Sequence, residues 1–142
     1  MTIYNFYTDA STINSNYGSS SGIAVVVVNI DEQRMIFSIG KTIDVGNNIE
    51  AELKAIELAL ISGHSLLKED DLIRICSDCE PALEIAEGDV ISYKKELREV
   101  GESIDQIIKD YRCDIEFQWV RGHADNEFNN MTDYLAYHHA QG

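Results

Sequence analysis

The run Gly22–Asn29, GIAVVVVN, constrains the fold of this chain more than any other stretch. Consecutive valines lose side-chain freedom in a helix and pack well on a pleated surface. We read the run as a well-buried strand, which needs neighbours on both sides. Ile3–Thr8 precedes it as a short apolar, aromatic run that stops at one carboxylate, Asp9. Arg34–Gly40 follows it across a turn at Asn29–Glu32 and reads as its hairpin partner. Ser11–Ser21, rich in Asn, Ser and Gly, predicts a polar loop. Short connections of this kind make the first three strands antiparallel.

The pattern then changes period. Asn47 and Asn48 offer an N-cap, and a helix is predicted to about Ser62 with Ala51, Ala55, Ile56, Ala59 and Leu60 on its apolar stripe. Glu52 falls one turn before Ile56 on that same stripe. A carboxylate there is costly unless it is paired, metal-bound or at the exposed edge of the stripe. Leu72–Ser77 reads as a fourth strand that runs into Asp78. A helix should start near Glu80–Pro81, since Pro suits a first helical turn. Gly88–Val90 interrupts it.

Ser92 is then expected to cap a helix carrying Leu97, Val100, Ile104, Ile107, Ile108 and Tyr111 at helical spacing. Lys94, Lys95 and Arg98 cluster on its outer side. The plainer reading of that cluster is a solvated face with a Lys95–Glu99 pair. Asp114–Val120 reads as a fifth strand, and a last helix is predicted from Asn126, with Phe128, Met131, Leu135 and Ala136 toward the core and Asp133 on a more polar flank. The order β-β-β-α-β-α-α-β-α predicts a single α/β domain. Its five-stranded mixed sheet has three antiparallel strands, then two parallel ones, flanked by helices.

The 142 residues suffice for one domain with a full core. No apolar run has the length of a membrane span, and the start of the chain has no secretory pattern. Three cysteines, an odd number, suit a reducing cytoplasm. Cys76 and Cys79 form the only Cys-x-x-Cys, too few ligands for a structural zinc site. There is no Gly-rich phosphate loop before a helix and no nucleophile elbow. What remains is four acids: Asp9, Glu52, Asp78 and Asp133. Clustered carboxylates repel unless protonated or bridged by cations, and hard oxygen ligands suit Mg²⁺ or Mn²⁺. Such a group can hold two ions that act on a phosphodiester. The net charge of −14 is unusual for a nucleic-acid binder, although screening lets a local basic patch act by itself.

Four pieces of the sequence, in order, carry a resemblance: FYTDAS, NNIEAELKAIELAL, ICSDCEPAL and WVRGHADNEFNNMTDYLA. Together they resemble type 1 ribonuclease H over almost the whole chain. The last is the most specific, with its Trp-Val-basic-Gly-His start and the ten-residue step from His123 to Asp133. The resemblance implies a ribonuclease H-like fold and a Mg²⁺-dependent endonuclease. It would cut the RNA strand of RNA–DNA hybrids to 5′-phosphate and 3′-hydroxyl ends.

The resemblance gives Asp9, Glu52, Asp78 and Asp133 the metal-binding roles. It gives His123 the role of a mobile histidine in proton movement or product release. Hybrid contacts are expected at Asn14, Asn16, Asn47, Asn48, Glu80 and Asn129, and at Lys94, Lys95 and Arg98 in place of a basic handle. The sequence departs from the pattern at Ala10, where Gly is usual, at Gly46, where Thr is frequent, and in having Trp119 as its only Trp. Two rivals are weighed. A 3′–5′ exonuclease on this fold would carry Asp-x-Glu on the first strand, but Asp9 is followed by Ala10 and Ser11. A non-catalytic binding module would lose acids first, and all four are present. A monomer is expected.

Overall fold

The structure is a computed structural model that describes residues 1–15, 18–66, 68–122 and 126–141. Its five strands are β1 (Ile3–Ser15), β2 (Gly18–Asn29), β3 (Arg34–Ile43), β4 (Leu72–Ser77) and β5 (Asp114–Trp119). The helices are α1 (Asn48–Gly63), α2 (Glu80–Glu87), α3 (Lys95–Lys109) and α4 (Glu127–Ala140). The sheet order is β3-β2-β1-β4-β5. β1–β2 and β2–β3 are antiparallel, and β1–β4 and β4–β5 are parallel. This is the single mixed-sheet α/β domain that the element order predicts.

The valine run is where the sheet is buried on both faces. Val25 and Val27 join Phe6, Ile73, Ile75 and the apolar stripe of α1 in the larger core. Val26 and Val28 face the other way, with Tyr7 and Cys76, under Phe128 of α4. Alternate side chains of one strand thus serve two helical layers. α4 lies directly on Gly22, where a Cβ would stand 2.0 Å from the carbonyl oxygen of Ala136 and 2.3 Å from the amide nitrogen of Ala140. Only glycine admits so close a helix.

Several expectations need correction. Of the expected loop Ser11–Ser21, the described residues are strand: β1 continues to Ser15 and β2 begins at Gly18, paired residue by residue. Low strand propensity is overridden because the ladder extends from the valine run and the polar side chains pair across it. Thr12 and Ser21 hydroxyls lie 2.7 Å apart, and the Ser19 hydroxyl donates to Asn14 Oδ1 at 2.6 Å. β3 likewise runs to Ile43 rather than Gly40.

The expected cap of α3 also moves. Lys94 is the N-cap, and Ser92 Oγ accepts from the Lys94 amide at 3.1 Å instead. On α4, Met131 is 38% exposed rather than in the core, while Asn129, Thr132, Ala136 and Ala140 are buried. Small residues take the inner face because the helix sits so low on Gly22. Among the described residues no helix is long and apolar enough to cross a membrane.

Candidate metal centre and nucleic-acid interface

Strand register builds the centre. β1 and β4 are adjacent and parallel, with Tyr7 opposite Cys76, so Asp9 and Asp78 emerge level, two residues further on. Asp78 lies just beyond β4, and α1 brings Glu52 to the same place. Each of Asp9, Glu52 and Asp78 offers a carboxylate oxygen, and these oxygens lie within 4.8 Å of one another. The amide of Ala10 donates to Asp9 Oδ1 at 2.9 Å and to Glu52 Oε1 at 3.3 Å. Asp133 reaches over from α4 to share a hydrogen bond with Asp9.

The first helical turn of α1 explains why Glu52 arrives there. Asn47 caps it, accepting from the Glu50 amide at 2.9 Å. Leu53 and Ile56 then bury against the sheet, and Glu52, only 8% exposed, is carried in with them.

Electrostatics mark the centre as strained without cations. Burial, the hydrogen bond with Asp133 and the charge of Asp78 push Asp9 from the usual 3.8 up to about 8, against the opposing pull of the Ala10 amide. Burial, followed by the charges of Asp9 and Asp78, pushes Glu52 well above the usual carboxylate range. Glu52 Oε2 is buried and has no hydrogen-bond partner. An orphaned carboxylate oxygen beside two more carboxylates is a poor arrangement for protein alone and a good one for a hard dication. The donor set, all oxygen, fits a divalent metal.

Backbone contacts around Asp78 were not legible as function in the sequence. Trp119 Nε1 donates to the Asp78 carbonyl at 3.2 Å, tying the end of β4 to the end of β5. A Cβ at Gly122 would stand 2.7 Å from Asp78 Oδ2. The Trp-Val-Arg-Gly string is thus a mould for Asp78, and the glycine in it was the available signal. Tyr7 was missed too: its hydroxyl receives Nδ2 of Asn5 at 3.0 Å and of Asn126, the α4 cap, at 3.3 Å.

The expected hybrid contacts are spread over four places. Asn14 lies beside Gly46, which precedes the helix cap Asn47: a Cβ at Gly46 would lie 2.9 Å from Ser19 and 3.8 Å from Asn14 Oδ1. The hairpin thus packs on the chain leading into α1, and that contact is why Gly46 stands where the family pattern often has Thr. Asn48 opens α1, and Glu80, exposed, opens α2. Lys94, Lys95 and Arg98 lie at the start of α3, on an element that carries none of the four carboxylates. There Lys95 pairs with Glu99 at 3.8 Å, as the plainer reading has it. Asn129 is 7% exposed and so buried rather than on the open surface. Asn16 and His123 lie outside the described residues. Cys76 and Cys79 are free thiols, pushed by burial up to about 12 and about 11, which disfavours the thiolate that nucleophilic or metal chemistry needs.

A mixed five-stranded α/β sheet with carboxylates converging where β1 and β4 end defines the class: a ribonuclease H-fold domain with an acidic centre. The RNase H family model matches residues 1–141, and the chain belongs to that family. Solved structures repeat the fold. The N-terminal RNase H domain of Rv2228c from Mycobacterium tuberculosis, solved as a fusion with maltose binding protein, superposes with a TM-score of 0.83. It is 18% identical, and the match covers 99% of this chain and 95% of that one. RNase H1 from the halophilic archaeon Halobacterium salinarum gives 0.81 at 18% identity, covering 98% of each chain. LC11-RNase H1, isolated from compost by a metagenomic approach and solved in complex with an RNA/DNA hybrid, gives 0.76 at 19% identity. That match covers 99% of this chain and 97% of the other. No curated protein matches the chain.

Proposed function

We propose that the protein is a divalent-metal-dependent endonuclease that hydrolyses the RNA strand of RNA–DNA hybrids, leaving 5′-phosphate and 3′-hydroxyl ends. The observation that carries this is the grouping of Asp9, Glu52 and Asp78 within 4.8 Å, with Glu52 Oε2 orphaned among them. Membership of the RNase H family and the hybrid bound to LC11-RNase H1 supply the substrate class.

Asp9, Glu52, Asp78 and Asp133 would hold two cations, Mg²⁺ with Mn²⁺ as a substitute. When bound, such a pair supplies Lewis-acid stabilisation to the attacking and leaving oxygens of a phosphodiester. The chain's own contribution is to hold the acids in place. The Ala10 amide fixes Asp9 and Glu52 against each other, and Trp119 and Gly122 fix Asp78. His123 takes the proton-moving or product-releasing role that the sequence resemblance gives it. The hybrid would be held by Asn14, Asn16, Asn47, Asn48 and Glu80 near the centre and by Lys94, Lys95 and Arg98 further out. We place the enzyme in the cytoplasm as a monomer, in keeping with three free thiols.

The test offers labelled RNA–DNA hybrid, double-stranded RNA and double-stranded DNA side by side, with Mg²⁺ or with a chelator. Only the hybrid should be cut, only in its RNA strand, and only with the metal. Cleavage of either homoduplex at a comparable rate, or undiminished cleavage in chelator, would remove the assignment.

A further inference from the structure

On the side of the sheet away from α4, β5 is an open edge. The sheet order ends at β5, which among the described residues pairs only with β4. An unpaired edge is a template for another strand, and proteins normally protect it with charge, proline or a covering element. Here Glu116 and Gln118 guard one face, with Glu116 paired to Arg74 at 3.3 Å. The other face is not guarded in this way. Ile115 and Phe117 look into a groove of about 850 Å³ that runs from β5 to the α2–α3 connection and the outer side of α3.

Besides Ile115 and Phe117, the groove is lined by Ile85, Val90, Ile91 and Ile108. Ile91 is 82% exposed and Val90 42%, so the connection offers apolar surface to solvent beside an open strand. Single exposed apolar residues need no explanation, but a contiguous groove beside an unpaired edge does.

We propose that this edge and groove bind an extended peptide with alternating apolar and basic side chains, which adds as a sixth strand alongside β5. Main-chain hydrogen bonds to the β5 edge would supply affinity, and alternate apolar side chains would fill the groove between Ile91 and Phe117. Charge selects the occupant. Glu87 and Glu102 line the groove with Arg98, and so do Glu99 and Asp105, which pair with Lys95 at 3.8 Å and Lys109 at 3.0 Å. A second copy of this chain would bring a like-charged rim to an isologous contact and be repelled. β5 spans six residues, about 20 Å of strand, so a segment of six to eight residues suffices. The proposal does not depend on the nuclease reading, since none of the four carboxylates lies in the groove.

The probe is a synthetic nine-residue peptide alternating Lys and Val, titrated into the ¹⁵N-labelled full chain. A matched peptide alternating Glu and Val is the control, together with a Lys–Val peptide whose central residue is Pro. The expected result is a set of amide shifts confined to β5 and residues 88–92, seen with the Lys–Val peptide alone. Ile91→Ser, a neutral change at an exposed site, should weaken them at least about tenfold. Glu102→Lys with Asp105→Lys should weaken binding at least about tenfold. Hybrid cleavage should be unchanged in the Ile91 variant, which separates failure here from failure of the nuclease assignment. No shifts in β5 at millimolar peptide, equal binding of the Glu–Val peptide, or concentration-dependent dimerisation through β5 without peptide would each overturn the proposal.

Discussion

Replacing Asp9 by Asn removes one charge from the centre at constant volume, and its consequences can be worked out before any activity is measured. In the protein without cations, burial and its neighbours raise Asp9 from 3.8 to about 8. The folded state therefore holds a proton that the unfolded chain has already lost. The stability due to that proton is complete below about pH 4 and is lost as the pH rises toward 8. At about 1.4 kcal/mol per tenfold in proton affinity, the full effect is on the order of 5 kcal/mol. Relaxation of the centre should reduce it to on the order of 3 kcal/mol. For a chain of this length that is a fall in Tm on the order of 10 °C.

The assay is thermal unfolding of the wild type and Asp9→Asn from pH 5 to 8.5 in chelator, repeated with millimolar Mg²⁺. Wild-type Tm should fall with pH in chelator, and Mg²⁺ should restore it at the alkaline end. The variant should show a flatter profile, a higher Tm at pH 8 in chelator, and little response to Mg²⁺. Its hybrid cleavage should drop by at least about 10³-fold, the scale of losing a group that holds transition-state charge. Near-wild-type cleavage by the variant, or the same pH slope in both proteins, would refute the reasoning.

His123→Ala should lower the turnover number about 10²-fold with little change in substrate affinity, measured by steady-state kinetics on hybrid. An unchanged turnover number would return His123 to an ordinary surface histidine. Lys94→Glu with Lys95→Glu should raise KM at low salt and spare kcat. Three phosphate contacts at this cluster give a binding slope against log salt of only about −3, so the variant's slope should be shallower still. Equal KM values at low salt would show the cluster to be a solvated helix face. Gly22→Ala drives a Cβ into the backbone of α4, and should destabilise by roughly 3 kcal/mol in urea unfolding. A change within about 0.5 kcal/mol would mean that α4 can ride up off the sheet.

What was readable in the sequence, and what was not, follows the range of the forces involved. Leu72–Ser77 is a strand with the expected bounds because its apolar run and its end at Asp78 are both local signals. Ser11–Ser21 reads wrongly because Ser, Asn and Gly say nothing about the ladder they extend. What holds them is the pairing of Asp9 with Ala24 and of Val25–Val28 with β1, a cross-strand effect. The inner face of α4 is misread at Met131 for a similar reason: the helix is placed by a missing side chain at Gly22, more than a hundred residues away. The acids were legible because three of them sit where local patterns place them: the end of a strand, the end of another, and a core-facing helical stripe. Only the resemblance ties Asp133 to them on sequence grounds; its own flank of α4 is simply polar.

The formal charge of −14 and the centre it surrounds bear on one another. Asp9, Glu52 and Asp78 bring carboxylate oxygens together as a hard cation would require, and a net negative chain favours the approach of cations. The same field opposes a polyanionic substrate, so hybrid affinity has to come from short-range contacts. On the proposed reading those would be neutral donors on Asn14, Asn47 and Asn48, whose hydrogen bonds to phosphate and sugar would be far less sensitive to net charge than ion pairs. A chain built this way should bind hybrids weakly but lose less affinity with added salt than a basic one would. On that reading the basic cluster on α3 would set the upper limit of the salt dependence, and the asparagines the floor of affinity beneath it.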